Sequence, residues 1–570
     1  MHPKQEIKNI LKQLTGEDAE LKDSPVADFG SSVAFKLAPK LKKSPKDVAD
    51  EITGKLNNQL PESVSKVEAT NGYLNFYLNY NKFSKNVLAE VRERGEDFGR
   101  LENKNLKIIL EHTSVNPSGP VHIGRLRNSL IGDSLSRILK FAGFDVETHY
   151  YVNDIGKQIA IIAQGFIEGI APDATAMENY GKYKDNDDFL VFFEYVAANR
   201  MFEENAGFRE RVQDLIKKAE SGDDDAKKQI TGVARKCLSG QKKIYGKLNI
   251  NFDYFDFESD YKVDEVIAFL RNSEYAEVID GCIALNLEKF NLKKKGGGSV
   301  LARDDGTSVY LARDIAYHLE KIKLGDRMIN VLGEDHKFEF MELKTILTEI
   351  YKIEKPIESV HFSFVSFECE KLSTRRGQTA PVDELIDDAV EKAESEIMKR
   401  GIAAIEVAPV IGIGAMKYHI IKKEPQKPIT FRWEEALNFD GETAPYIQYA
   451  HARCCRILEK ANFKVDEITI AEINEIFSEK FTLDKGEENL IKIISGFEEV
   501  TARSSEELKP HFVAGYAYEV ASQFSKFYKE CKVIGEREDT EKRRLLMVDA
   551  VRQVIKNSLK LIGIDAPERM

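Results

Sequence analysis

The sequence predicts an α/β molecule: a Rossmann-like parallel-sheet domain with a helical insertion, a small N-terminal α/β domain before it and a C-terminal all-α helical bundle after it. Three observations carry that expectation. The apolar run Leu106-Lys107-Ile108-Ile109-Leu110 leads into a loop with Pro117, Gly119 and Pro120. Ile123, Leu126, Leu130, Leu135, Ile138 and Leu139 then recur at helical spacing, and a second apolar run spans Val146 to Val152. Strand, loop, helix and strand in that order make half of a doubly wound sheet. Beyond about residue 405 apolar residues recur at helical spacing, ending with Met547, Val551, Val554, Ile555, Leu559 and Ile562 on one face. Near the start, Tyr73 to Leu78 alternates as a half-buried strand does.

The domains follow as 1–100, 101–405 and 406–570, with the insertion at about 165–280. The polar stretch Arg92 to Asn105 reads as a linker, and Gly143 suits the end of the first central helix. The insertion is charged and mainly helical, with acidic patches at Asp185-Asn186-Asp187-Asp188 and Asp223-Asp224-Asp225. Val300 to Arg303 and Ser308 to Leu311 flank Asp305-Gly306, a hairpin signal. Met328 to Leu332 reads as a buried strand, and Phe340 to Leu343 as part of a helix.

A chain of 570 residues has room for several domains, and 42% apolar with 31% charged residues is ordinary for a globular one. Apolar runs fall short of the roughly 20 residues a membrane span needs, and the N-terminus lacks the apolar core of a secretory signal. No membrane partner and a cytoplasmic location are the expectation. The six cysteines form no CxxC pair, so no metal site and no disulfide framework is expected. The net charge of −12 argues against indiscriminate nucleic-acid binding but leaves room for local basic clusters. Lys36, Lys40, Lys42, Lys43 and Lys46 form one, and Lys293-Lys294-Lys295 another.

Two loops carry chemistry. In the first, EHTSVNPSGPVHIGRLR from Glu111 to Arg127, the tetrapeptide His122-Ile123-Gly124-Arg125 opens a helix just after a strand. A helix N-terminus offers unpaired N–H groups and a positive dipole end to a phosphate. His122 can donate to a phosphate oxygen, and Gly124 lets a flat base lie on the backbone. The second, Lys371-Leu372-Ser373-Thr374-Arg375-Arg376-Gly377, is a cationic loop that can stabilise charge on departing pyrophosphate. Neither a GxxxxGK[ST] nor a GxGxxG pattern occurs.

In this order, about 250 residues apart, the two loops resemble the HIGH and KMSKS motifs of class I aminoacyl-tRNA synthetases. Further blocks resemble the arginyl-tRNA synthetase family almost end to end: YYVNDIGKQI, DGTSVYLARDIAYHLEK, VLGEDH, KLSTRRG, GAMKY, ETAPYIQYAHARC and DAVR…LIGIDAPERM. The resemblance implies ATP-dependent attachment of L-arginine to the 3′ end of tRNA(Arg) through an arginyl-adenylate, with Mg2+ accompanying ATP and arginine activation requiring bound tRNA. It implies a catalytic role for His122, Gly124, Arg125, Lys371, Ser373 and Arg375. It places Glu111, Asn116, Tyr310, Asp314 and His336 around the arginine, and Pro120, His122, Gly124, Gly333, Asp335, His336 and Lys371 around ATP. Tyr446, Gln448, Tyr449 and Arg453 become candidates for the tRNA anticodon in a DALR-type bundle, here Asp549-Ala550-Val551-Arg552. A bundle core would account equally for the tyrosines. A monomer is expected.

The chemistry is consistent with this. A guanidinium is a planar cation with five fixed donors, best held by carboxylates and amide oxygens. Tyr310 and Asp314, four apart, share a face if helical. Three positions depart from the family pattern: Arg125 replaces the last histidine of HIGH, Thr374 the second lysine of KMSKS, and Glu334 a small residue. A cysteinyl-type class I enzyme and a tRNA-binding paralogue without catalysis stand as rivals. The missing zinc-ligand cluster opposes the first, and retention of both loops opposes the second.

Overall fold

The structure, a computed structural model, describes residues 3–293, 298–304, 307–367, 380–401, 404–461, 464–477 and 482–570. Its centre is a five-stranded sheet in the order Ile357–Phe362, Arg327–Gly333, Lys107–Glu111, Asp145–Val152, Tyr254–Phe257, every neighbouring pair parallel. Such sheets are covered on both faces, which is why their strands read as continuous apolar runs. Ile108, Leu110, Val146, Ile329, Val331 and Val360 pack on Ile131, Leu135 and Leu139 of the helix Ile123–Phe141. Ile109 and Met328 pack instead with Ala312, Ile315 and Ile322 of the helix Tyr310–Leu324. The first strand of this sheet in chain order lies in the middle, so strand order reverses between Lys107–Glu111 and Arg327–Gly333. Open α/β sheets take ligands at the carboxyl ends of the strands beside such a reversal.

Three short strands lie where the sequence suggests helix, one of them Ala276–Ile279. Tyr254–Phe257 is the outermost strand of the central sheet, inside the stretch assigned to the insertion. The helical part of that stretch runs from Lys157–Glu168 to Asp224–Lys247 and ends before it. Ile429–Phe431 pairs in parallel with Val365–Phe367, interrupting the C-terminal helices. Strands of three or four residues are too short for alternation to stand out against helical neighbours. The hairpin about Asp305-Gly306 is reduced to one bridge, Ala302 with Ser308, and Tyr310 already opens a helix; the tip lies outside the described residues. A small antiparallel sheet, Ser299–Ala302, Cys282–Leu285 and Ala276–Ile279, precedes it.

The N-terminal sheet, ordered Leu21–Asp23, Phe29–Ser31, Tyr73–Leu78, Val64–Thr70, is antiparallel and carries helices Val33–Leu41 and Pro45–Leu56. The linker segment is packed rather than loose: Phe98 stacks on Phe497, with ring centroids 6.4 Å apart. The C-terminal helices, among them Ala444–Lys460, His511–Glu530 and Glu538–Leu561, share one core in which the last helix is buried along most of its length.

Candidate active site

Glu111 ends the central strand, and its ladder partners are Asn330 on one side and His149 on the other. Residues opposite one another on adjacent strands project to the same face, so Asn330, Glu111 and His149 form a polar row. The helix Tyr310–Leu324 lies over that face. Its register, Asp314, Tyr317, His318 and Lys321, follows the spacing of three and four that keeps side chains together. Tyr317 donates its hydroxyl to Asp256 (2.8 Å), and His149 Nδ1 lies 2.7 Å from the same carboxylate.

Beyond Asp256, three more carboxylates meet here. Glu111 accepts from Lys321 Nζ (2.6 Å), and Glu258 from Arg313 Nη1 (2.6 Å). The half-buried Asp314 carboxylate has no hydrogen bond or ion pair among the described residues. Burial first, then the charges of Glu111 and Glu258, push its carboxyl up to about 8. Burial also raises Glu258, against the pull of Arg313. The hydroxyl of buried Tyr151 has no hydrogen-bond partner among the described residues and is raised by burial and by all three carboxylates. Asp154, in the matched YYVND block, accepts from Ser259 N (2.9 Å) and Oγ (2.8 Å) and so fixes the turn that delivers Glu258. The polar face is thus an acidic pocket with two resident cations.

The first loop is bent hard as it leaves Glu111. Thr113 (φ 81°) and Ser114 (φ 49°) both take left-handed conformations, costly for residues with a side chain. Neighbours hold them there: Asn128 Oδ1 accepts from Thr113 N (2.9 Å), Ser114 Oγ donates to Tyr151 O (2.9 Å), and Tyr150 receives Val115 N at its hydroxyl (2.9 Å). Asn116 is exposed, its amide 3.4 Å from Gln158 Oε1. Pro120 precedes the turn, and His122 occupies the N-cap of Ile123–Phe141 without a side-chain cap. Gly124 and Arg125 sit half-buried in its first turn.

Lys371, Ser373 and Arg375 lie outside the described residues. The segment that carries them returns beside the first loop. Ile123 N donates to Ala380 O (2.9 Å), Val382 N donates to Val121 O (2.8 Å), and His122 pairs with Pro381. Upstream, buried Arg127 donates to the carbonyls of Ser363 (2.5 Å), Lys427 (2.8 Å) and Glu424 (3.0 Å). The described segments on either side of the second motif, at Ser363 and at Ala380 to Val382, are therefore tied to the helix that carries the first or to the residues leading into it.

Gly333 closes its strand where any Cβ would collide with the Asp335 carboxylate. Asp335 and His336 are exposed, 3.7 Å apart. Glu334, the unusual residue here, accepts from Ser363 Oγ (2.6 Å), so the site accommodates it. Tyr310 is 72% exposed at the first turn of its helix, one turn before Asp314, and does not line the acidic pocket.

The family model for the class I (R) tRNA synthetase catalytic domain matches residues 87–433; the DALR anticodon binding domain matches 447–570 and the arginyl tRNA synthetase N terminal domain 2–78. The chain is 38% identical to the arginine–tRNA ligase of Methanocaldococcus jannaschii, with 100% of both covered. It is 37% identical to that of Methanococcus maripaludis, with 99% of this chain and 98% of the other covered. The solved arginyl-tRNA synthetase of Thermus thermophilus is similar across 100% of this chain and 99% of its own, at a TM-score of 0.79 and 25% identity. The chain belongs to the arginyl-tRNA synthetases.

In this arginyl-tRNA synthetase the bundle residues expected to meet RNA divide. Arg453 lies over the rings of Tyr449 (4.7 Å) and Tyr528 (5.5 Å) and donates to the Tyr449 hydroxyl (2.9 Å), a partly exposed cluster suited to stacking. Half-buried Tyr446 donates to Ser525 Oγ (3.0 Å), whose own proton goes to Ala521 O (3.0 Å). Gln448 is a correction: it is fully buried, its amide donating to Val410 O (3.3 Å) and Asp565 O (2.9 Å), with no surface to offer a base. In the DALR segment Asp549 accepts from Arg552 (2.7 Å) and faces Arg92 (3.8 Å), joining the bundle to the helix Tyr80–Arg94. Tyr151, Glu258, Arg313, Lys321 and Arg127 were not singled out from sequence. All but Glu258 sit in blocks that were visible, but nothing in a linear string marks a buried cation.

Proposed function

We propose that the chain joins L-arginine to the 3′ end of tRNA(Arg) in translation, using Mg2+-bound ATP. The observation that carries this reading is the pocket with three carboxylates and two resident cations, which leaves Asp314 to receive one more positive group. A guanidinium meets that need with several N–H donors.

The chemistry takes two steps. The arginine carboxylate oxygen attacks the α-phosphorus of ATP; a new P–O bond forms as the bond to pyrophosphate breaks. The ribose 2′-OH of the terminal adenosine then attacks the arginyl carbonyl carbon, loses its proton and releases AMP. Neither step needs a side-chain nucleophile, so alignment and charge stabilisation supply the rate. Glu111 and Asp314 hold the side chain of arginine, and Asn116 and His336 its backbone end, with Tyr310 at the mouth. Pro120, His122, Gly124 and Arg125 cradle the phosphates at the helix N-terminus. Gly333, Asp335 and His336 take the ribose, and Lys371, Ser373 and Arg375 cover the departing pyrophosphate. Arg125 meets phosphate as a cation, where the family motif has histidine. Residues 1–100 and the bundle at 406–570 hold the tRNA, with Tyr446, Tyr449 and Arg453 near the anticodon, and the helical insertion helps position it. The enzyme works as a cytoplasmic monomer; no helix among the described residues is long and apolar enough to cross a membrane.

A lysine in this pocket would leave carboxylate oxygens unpaired, at a cost of several kcal/mol, on the order of 3. Charging unfractionated tRNA with each of the twenty amino acids in turn tests the reading. Arginine alone should be esterified; charging with another amino acid, or with none, defeats it.

A further inference from the structure

We propose that Lys321 is a positioning residue for arginine recognition: its ammonium clamps one oxygen of Glu111 and presents the other to the amino acid. The inference rests on the pocket reading above. Lys321 is fully buried, and its three protons meet three acceptors. Glu111 Oε2 stands 2.6 Å away, Asn330 Oδ1 2.7 Å and His318 Nε2 3.5 Å. His318 is set up for this part. Its Nδ1 lies 2.8 Å from the Asp314 carbonyl, which accepts only from an N–H, so Nε2 carries the lone pair that faces the ammonium. Asn330 is the ladder neighbour of Glu111, so the strand register itself delivers the second acceptor.

A buried ion pair contributes little to stability against an apolar replacement of similar volume, so stability alone is a poor reason to bury a lysine here. Its consequence for the pocket is geometric and electrostatic. Glu111 with both oxygens open could rotate and take a cation in several poses. Held at Oε2, it offers one acceptor in one direction. Glu111 with Lys321 and Glu258 with Arg313 are then neutral pairs and Asp256 is held by Tyr317 and His149, which leaves Asp314 as the carboxylate of this cluster without a hydrogen bond or ion pair among the described residues, matched to one guanidinium.

Steady-state charging by the full-length enzyme tests this with Lys321→Met, Lys321→Arg, Glu111→Gln and the double variant Glu111→Gln/Lys321→Met. Lys321→Met should raise KM for arginine about tenfold to hundredfold, as loss of alignment does, with KM for ATP and for tRNA within about twofold. Lys321→Arg, which keeps a cation within reach of Glu111, should recover most of that loss. In the Glu111→Gln background the methionine substitution should add less than about twofold, because its effect passes through Glu111. Equal factors in both backgrounds, or parallel losses for arginine, ATP and tRNA, overturn the proposal. Should Lys321→Met not fold, an unchanged arginine KM in Lys321→Gln overturns it as well. A wild-type chain that charges no arginine defeats the functional reading first, and this inference with it.

Discussion

At the scale of single residues, arginine bound in the acidic pocket as proposed would displace a proton. Asp314 faces Glu111 from the central strand, Glu258 and Tyr151 from the neighbouring segments, and Lys321 from its own helix; burial and the two carboxylates hold its carboxyl up to about 8. The ordinary aspartate value is near 3.8. Between the two values the folded chain binds a proton that the unfolded chain has released, so this group costs the free enzyme stability as pH rises from about 4 to about 8. A guanidinium favours the charged form and expels the proton. Arginine affinity should therefore climb with pH, by up to about tenfold per unit below 8, and level off above it. Calorimetry at pH 7 in buffers of different ionisation enthalpy should find up to one proton released per arginine bound, and none in Asp314→Asn; equal heats across buffers for the wild type would refute the linkage. The matched blocks made Glu111 and Asp314 legible in the sequence. Lys321 was not, because Glu320-Lys321-Ile322-Lys323 reads as an ordinary solvated helix face until the fold turns that one lysine inward. Gln448 misled for the opposite reason: its aromatic neighbours suggest a surface for bases, while its amide is committed to two backbone carbonyls.

At the scale of elements, long apolar runs and helical spacing gave away the inner strands and the helix Ile123–Phe141, since burial on both sides leaves a strong pattern. Tyr254–Phe257 and Ile429–Phe431 stayed hidden because their identity comes from the strand they pair with rather than from their own few residues. What links the elements is harder still to read, and Arg127 is the clearest case. It lies one turn into the helix after His122 and donates to three carbonyls at Ser363, Glu424 and Lys427, so the turn at His122 and the flank of the second loop are tied through one side chain. Burial lowers its guanidinium to about 10, which leaves it charged at any working pH. Arg127→Met should orphan the carbonyls of Ser363 and Lys427, while that of Glu424 keeps the Lys427 N–H, costing about 2–5 kcal/mol of stability. It should also slow arginine-dependent pyrophosphate exchange, measured with tRNA present, while leaving KM for arginine near its wild-type value. Exchange at the wild-type rate in a destabilised variant would show that Arg127 holds the fold without aligning the loops.

At the scale of the whole molecule, the three units are held together near the C-terminus. Buried Lys417 donates to the carbonyls of Leu248, just after the last helix of the insertion, Asp224–Lys247, and Gly563 (2.6 Å), beyond the last helix of the chain. Alongside, Arg137 of the first-loop helix pairs with Asp133 (2.8 Å) and donates to Asn249 O (2.5 Å). The tail continues inward: Ile564 is buried, Asp565 O accepts from Gln448, and His451 Nδ1 lies 2.9 Å from Pro567 O. Asn557 in the last helix donates to Gly95 O (3.1 Å), and Lys492 to Asp28 O (3.1 Å), which fastens the N-terminal domain to the bundle. Gly563 is the turning point of this clasp. Its φ of 66° suits glycine, and an added Cβ would lie 2.7 Å from Asp133 Oδ2 and 3.3 Å from Lys417 Nζ. Gly563→Ala thus combines a left-handed alanine, about 1 kcal/mol, with a clash against two charged groups packed under the active-site helix. The tail should detach rather than the core deform, because the tail has fewer contacts to lose. Limited proteolysis should then cut near residue 562 in the variant and not in the wild type, and arginine charging should fall several-fold even though the substitution touches no substrate. Unchanged protection of the tail, with charging at the wild-type rate, would mean that the clasp leaves the active site indifferent.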